Sequence, residues 1–459
     1  MTLAAEVANR LGGAIGAHRL ICAEEELASY AIDGLMPSAI VRPASPEEAA
    51  EVVRFAIAEK LAVLPAGSKS KWELGMTPNR FDIAMDTSGW HAIPHFDPGD
   101  LTLSVDAGMP LRELEQFLKE KGQFLPLAVP CFESATIGGT IASGIDSALR
   151  LQYGSARDFL IGAEFIDGAG QLCRSGGRVV KNVTGYDLHK LLIGSLGTLG
   201  VITRVNFRTS PLPAMSGGHL AEFENCQAAL QFRRAVDKTG LSLANLEILS
   251  PEVSELIRVI LQKSGHPVPT GLETKDWRVY SSFEGNEEVV QRIGRDLQKL
   301  ARDAGAPGNR VLEKTEDESI GGMLRECFEW LRWASAATVI CRLALPVLKV
   351  ETLAAVSQLS ESARLRWALL VRAAGVVYFA VFAESEGGWE LEPLKHIVIG
   401  VRSIAQAEQG CCTLLHAPAE IKSKATVSNL PGDALLHQRV KRAFDPSGLF
   451  APGRIVGGI

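Results

Sequence analysis

The 459-residue sequence has no C-x-x-C pair and no group of cysteines at zinc or iron–sulfur spacing; its eight cysteines stand at 22, 131, 173, 226, 327, 341, 411 and 412. That excludes a metal ribbon, a cluster-carrying ferredoxin module or a small disulfide scaffold, and fits a reducing cytoplasm with no metal site. Excess positive charge is also missing: 47 Lys and Arg against 53 Asp and Glu leave a net charge of −6, with no basic run of five, so no nucleic acid partner is expected. No apolar run reaches the roughly 20 residues that span a bilayer. The most apolar stretch, Ala368 to Ala383, is broken by Arg372 and reads as two strands turning at Ala374-Gly375. Glu6, Gly12, Gly13 and Gly16 fall where a signal peptide needs an unbroken apolar core, so no export signal is read. The G-x-G-x-x-G and G-x-x-x-x-G-K-[ST] fingerprints are absent, which disfavours Rossmann and P-loop enzymes, and no H-E-x-x-H, G-x-S-x-G or kinase signature occurs.

What the sequence does have is glycine, 44 residues without a collagen period or a low-complexity tract. Such glycines mark positive φ or close approach of the backbone to something. Ser45-Pro46-Glu47-Glu48 opens a helix over about 46 to 60, followed by a strand at 61 to 65 and a small-residue loop. A strand-like region runs from 83 to 105, and a helix over 110 to 121 stops at Gly122. After Ser210-Pro211-Leu212-Pro213 glycine thins and helix patterns lengthen: 225 to 239, 286 to 304, 317 to 333, 347 to 361 and 391 to 408. Strand patterns lie between them at 242 to 249, 277 to 284, 336 to 345, 365 to 373, 376 to 384 and 413 to 417. The fold class expected is α+β, with the second half built on an antiparallel sheet.

Four glycine-bearing segments stand out. In Pro65-Ala66-Gly67-Ser68-Lys69-Ser70-Lys71, small residues after a strand can aim successive N–H groups at an anion beside two lysines; a surface turn is the competing reading. In Ala135 to Gly144, the pair Gly138-Gly139 after Thr136 lets a flat cofactor or its pyrophosphate lie against the main chain; the competing reading is a glycine-rich hairpin. Tyr153-Gly154-Ser155-Ala156-Arg157-Asp158 reads as a loop that an Arg157–Asp158 pair could fix, and Gly176 to Thr203 carries Gly194, Gly197 and Gly200 at a spacing of three before a β-branched strand.

In this order, together with Val105-Asp106-Ala107-Gly108 and the closing Lys441 to Arg454 segment containing Phe444-Asp445-Pro446-Ser447-Gly448, the segments resemble an FAD-linked oxidase of the vanillyl-alcohol oxidase and p-cresol methylhydroxylase superfamily over nearly the whole chain. Lys181-Asn182-Val183-Thr184-Gly185-Tyr186-Asp187-Leu188 and Gly194 to Gly200 most resemble the FAD-binding subunit of bacterial glycolate oxidase. The resemblance implies an FAD-binding domain of the PCMH type, made of two α+β subdomains, at 1–213, an antiparallel-sheet cap at 214–432, and a segment at 433–459 that returns to the FAD domain. It implies an FAD site at Pro65, Ala66, Gly67, Ser68, Lys69, Ser70, Thr136, Gly138, Gly139, Ser143, Gly144, Gly154, Ala156, Val201 and Ile202, with the first loop and the Thr136–Gly139 turn on the pyrophosphate. Lys69 stands in a loop where covalently flavinylated relatives carry histidine, so FAD is expected to be noncovalent.

The departures matter. Leu196 stands where catalytic 2-hydroxyacid dehydrogenases of the family usually have glutamate, the His-x-Gly-Asp-Gly-Asn-x-His segment of their cap is absent, and Ala451 replaces a frequent asparagine at a point where a backbone contact would survive. The expectation is an FAD-dependent oxidoreductase acting on CH-OH donors as one subunit of a glycolate oxidase-like complex. It would sit beside a catalytic flavoprotein subunit and an iron–sulfur subunit, cytoplasmic or peripheral on the inner face of the cell membrane through those partners. The alternatives are a self-sufficient 2-hydroxyacid or polyol dehydrogenase and an assembly subunit with structural FAD. Candidates for substrate contact in the cap are Arg342, Arg372, Tyr378 and His416; each arginine interrupts an apolar strand, so it must snorkel, pair or face a cleft. For His416 and Tyr378, and for the vicinal Cys411 and Cys412, packing is the competing reading. Tyr186 and Asp187 read as an aromatic anchor and a helix cap.

Overall fold

The computed structural model describes residues 5–178, 185–273, 275–335, 337–346, 349–372, 375–383, 391–424 and 434–455. Lys181-Asn182-Val183-Thr184 and Ala374 lie outside the described residues. The chain divides into two compact units: Met1–Asp146 with Ser155–Pro211 and Leu430–Ile459, and Ser147–Gly154 with Leu212–Asn429.

The first unit holds two sheets. One runs in the order Leu20–Ile21, Ala39–Val41, Ile83–Asp86, Val63–Ala66, with its last three strands parallel. The other is antiparallel, in the order His95–Asp97, Thr102–Asp106, Val201–Arg208, Leu160–Ile166, Leu172–Gly176. The helix before the first loop forms for the expected reason: Ser45 Oγ accepts from Glu48 N at 3.3 Å, Pro46 takes the first helical position, and the helix Pro46–Glu59 ends at Lys60 with φ +56°. It buries Ala49, Val52, Val53 and Ala56 in a cluster with Val63, Ile83 and Phe450, so the C-terminal segment completes the core of the first sheet. Lys441 Nζ tightens this return, donating to Thr198 O at 2.7 Å, Phe450 O at 2.8 Å and Asp445 Oδ2 at 2.6 Å.

The second unit is built on an eight-stranded antiparallel sheet ordered Asn309–Val311, Met215–Phe223, Trp277–Gly285, Asn245–Leu249, Arg366–Arg372, Val376–Ala383, Ala337–Ala344, Cys411–His416. Every residue of Val376–Ala383 is buried, as its unbroken apolar run requires of a strand covered on both faces. The six strand patterns expected here all form strands, the first of them over Asn245–Leu249.

Several local expectations need correction. The 317 to 333 pattern is two helices, Lys314–Arg325 and Cys327–Arg332, parted at Glu326. A strand at Met215–Phe223 and a helix at Pro251–Ser264 were not anticipated. Asp158 accepts from Ser155 N at 2.7 Å and Ser155 Oγ at 3.0 Å, so it closes a capping box instead of pairing with Arg157. Tyr186 is 90% exposed and anchors nothing. Asp187 pairs with Lys190 at 2.9 Å and makes no side-chain cap bond.

Candidate functional site

Strand Val63–Ala66 delivers the chain into the loop Gly67–Lys71, and the loop leaves the sheet with its donors unengaged. Among the described residues, the amides of Gly67, Ser68, Lys69 and Ser70 have no hydrogen-bond acceptor, although Trp72 N bonds Lys69 O at 3.0 Å and Thr87 N bonds Ala66 O at 2.8 Å on either side. Lys69 adopts φ +65°, and its Nζ turns back over the Tyr30 ring, 3.5 Å from the centroid and 3.3 Å from Ser29 Oγ. Tyr30 OH in turn donates to Asp86 at 2.6 Å, and burial together with that carboxylate pushes the phenol up to about 12. Burial lowers the Lys69 ammonium, an effect that Asp86 opposes. The lysine charge therefore holds the loop's shape, and the anion-binding capacity lies in the backbone amides.

The loop fits closely against the second glycine segment, which is a helix, Ile137–Ser143, and neither a hairpin nor a turn. Thr136 caps it, its Oγ1 accepting from Gly139 N at 3.4 Å. A Cβ on Gly67 would stand 2.2 Å from that oxygen, so only glycine lets loop and cap meet. The helix's first amides are already engaged, Ile137 N on Met109 O at 2.9 Å and Gly138 N on Ala107 O at 2.7 Å. What the helix offers is therefore a wall of small side chains, Gly139, Ala142 and Ser143.

The Gly194–Gly200 segment makes a further wall. Gly194 N and Leu196 N bond Ile141 O and Ala142 O at 3.0 and 2.8 Å, tying the segment to the same helix. Gly200, at φ +155°, lies where a Cβ would stand 2.5 Å from Ile166 O, which explains one glycine of the three-residue spacing. The C-terminal segment contributes Arg454, 4% exposed, whose Nη2 donates to Trp72 O and whose Cζ lies 5.7 Å from the Trp72 ring centroid. Fully buried Ala451 is fixed through its backbone, its N bonding Val63 O at 3.0 Å.

Together these elements line an open cleft. Of the expected residues, Pro65, Ala66, Gly67, Ser68, Lys69, Ser70, Thr136, Gly138, Gly139, Ser143 and Ile202 line it. Four do not. A Cβ on Gly144 would meet the Gly194 backbone, so that glycine serves packing; Val201 belongs to the core shared with Phe450; Ala156 opens the short helix Ala156–Phe159; and Gly154 falls in the other unit. Lining residues outside the expected set include Trp72, Ala107, Leu196, Gly197, Gly200 and Arg454. The triple-glycine spacing and the closing Pro-Gly-Arg were the available signals for the last three.

In the second unit Arg372 is fully buried. Its Nε donates to Glu247 Oε1 and its Nη2 to Leu324 O, both at 2.7 Å, with Cζ 5.3 Å from the ring of the equally buried Tyr378. Of the three options for that arginine, the ion pair holds. Arg342 is half-buried, in register with Tyr378 and Thr413, and His416 is half-buried opposite Ile340. Cys412 is buried and Cys411 exposed. Among the described residues no group of three or more His, Cys, Asp or Glu could hold a metal ion, and no helix is long and apolar enough to cross a membrane.

Unengaged amides after a strand, a wall of small residues and a buried guanidinium suit a phosphate-bearing ligand whose flat part lies along the backbone. Residues 37–176 match the family model described as an FAD binding domain, and residues 216–455, more than half of the chain, match FAD linked oxidases, C-terminal domain. The sequence is 40% identical over 251 residues to the glycolate oxidase subunit GlcE of Escherichia coli (strain K12), covering 54% of this chain and 62% of that subunit, so less than two thirds of that relative is spanned. It is 25% identical over 434 residues to a D-lactate dehydrogenase of Anaerostipes hadrus, covering 91% of this chain and 89% of that enzyme. The fold resembles p-cresol methylhydroxylase, with a TM-score of 0.76, 16% identity and coverage of 98% of this chain and 96% of that one. The chain belongs to the FAD linked oxidases, as an α+β flavoprotein with a PCMH-type FAD-binding fold.

Proposed function

We propose that this chain is the FAD-binding subunit of a heteromeric oxidoreductase acting on a 2-hydroxy acid, of the glycolate oxidase type, and that it holds FAD noncovalently in the cleft walled by Gly67–Ser70, Thr136–Ser143, Gly194–Gly200 and Arg454. The observation that carries the reading is the run of four loop amides without acceptors among the described residues, opening on a cleft walled by small residues. Bound there, FAD would supply the hydride acceptor for oxidation of the hydroxy acid's α-carbon to the 2-oxo acid, the hydroxyl proton being released. The chain's own residues bind and orient: the loop amides take the diphosphate, Lys69 and Tyr30 fix the loop, and Ser143, Gly197 and Ile202 flank the rest of the cleft. The loop that carries a tethering histidine in covalently flavinylated relatives has Lys69 here, engaged with Tyr30, which supports a noncovalent cofactor.

The subunit role draws on the likeness to GlcE, on Leu196 in the cleft wall where catalytic relatives carry glutamate, and on Arg372 being committed to Glu247. Electrons would pass to a partner carrying the iron–sulfur centre, and any membrane association would come through partners. The relation to a D-lactate dehydrogenase over most of both chains keeps a self-sufficient enzyme as the second reading.

Both are tested on the purified chain. It should be yellow, release its flavin on denaturation, and show little bleaching when anaerobic glycolate or D-lactate is added; co-expression with a second flavoprotein and a cluster protein should restore substrate oxidation. Full bleaching of the isolated chain would select the self-sufficient enzyme. A colourless chain that FAD does not stabilise would defeat both.

A further inference from the structure

Arg454 is not explained by the fold alone. Its backbone is fixed at both ends, N bonding Ala451 O at 3.2 Å and O accepting from Met76 N at 3.0 Å. Its side chain lies against Trp72, which is itself held by Nε1 donating to Tyr30 O at 3.0 Å. Of its two terminal nitrogens, Nη2 donates to Trp72 O, and Nη1 is closed off from solvent with no acceptor among the described residues. Burial pulls the group down to about 10 although Asp33 favours its charge. A buried guanidinium N–H left without an acceptor is costly, and an acceptor arriving in the cleft beside it would remove that cost.

We infer that Arg454 is the counter-charge for the diphosphate of the bound dinucleotide, carried to the cleft by the C-terminal segment. The inference rests on the FAD reading of the cleft. The choice of diphosphate follows from the ligand's chemistry, because oxidised isoalloxazine is neutral and the fixed negative charges of FAD lie on its two phosphates. The choice of Arg454 rests on its Nη1, closed off from solvent and without an acceptor among the described residues; Lys69, another cation lining the cleft, is turned onto Tyr30 and Ser29. A planar guanidinium already fixed at Nη2 presents Nη1 at no further cost in side-chain freedom. Since Lys441 ties the same segment to Thr198 O, seating of the C-terminal segment and dinucleotide binding are linked, each favouring the other.

The test is titration of the apo protein with FAD, with ADP, which carries the diphosphate, and with riboflavin, which has none. Arg454→Ala should weaken FAD and ADP together by at least tenfold and leave riboflavin unchanged, with Arg454→Lys recovering part of the loss. Amide exchange across residues 440–455 should slow when FAD binds the wild type and slow less in the variant. Arg454→Gln keeps a stem over Trp72 and serves in place of the alanine variant should that one fail to fold. Wild-type FAD affinity in the folded alanine or glutamine variant would overturn the inference, as would an equal loss for riboflavin, which would place the guanidinium at the isoalloxazine. Should Gly67→Val also leave FAD affinity untouched, the cleft reading falls, a result distinct from the failure of Arg454 alone.

Discussion

The cleft wall of the first unit and the Arg372 site of the second engage their polar groups differently. Around the cleft, polar groups are held in place with their bonding left incomplete: among the described residues the four half-buried loop amides have no acceptor, and Arg454 Nη1 has none beside the bonded Nη2. In the second unit the buried Arg372 is paired with Glu247, and Tyr280 OH donates to Asp317 Oδ1 at 2.7 Å. A donor held in a cleft wall without a protein acceptor is available to a ligand, whereas a completed buried pair is scaffold.

The strongest way to break this contrast is at Arg372. Arg372→Met strands the Glu247 carboxylate and should cost about 3–5 kcal/mol in denaturant unfolding, while the double variant with Glu247→Leu should recover most of it. A single-variant loss below about 1 kcal/mol would show that the pair is not scaffold.

Next comes His219, fully buried in the second unit, its ring 6.3 Å from that of Phe232. Burial pushes the imidazole down to about 4 from 6.5. The folded state then binds fewer protons than the unfolded one, so this contribution to stability is complete above pH 6.5 and is lost as pH falls toward 4, about 3 kcal/mol in all. His219→Leu should flatten stability against pH in that window; an unchanged acid slope would contradict a buried neutral imidazole.

The smallest effect is expected at the helix cap. Thr136→Ala should cost about 1 kcal/mol, and Thr136→Ser should cost little, both read from thermal unfolding. Equal losses for the two would mean that the hydroxyl does not cap Gly139.

Much of this architecture is legible in the residues because local signals and tertiary demands agree. Ser45-Pro46-Glu47-Glu48 starts its helix as capping chemistry requires, and the alternation of apolar runs with Gly and Pro marks the strands of the second unit. Where reading fails, the two compete. Ile137–Ser143 contains two glycines, each unfavourable in a helix by about 1 kcal/mol, and the tertiary bond of Gly138 N to Ala107 O prevails over that propensity. Ser250-Pro251-Glu252 carries the same start signal as Ser45, with Ser250 Oγ accepting from Val253 N at 3.5 Å, and the helix Pro251–Ser264 follows it. The site is legible in its glycines and small residues. Arg454 is not, because a residue 382 positions from Trp72 in sequence gains meaning only when the C-terminal segment docks.

The most direct test of the central claim, that FAD lies in the first unit's cleft, is FAD affinity in Gly67→Val. A Cβ there collides with Thr136 Oγ1, and the displaced loop should weaken FAD binding by tenfold or more, about 1.4 kcal/mol or greater, in a protein whose second unit is unaltered by near-UV circular dichroism. Wild-type affinity in a folded Gly67→Val protein would contradict the account.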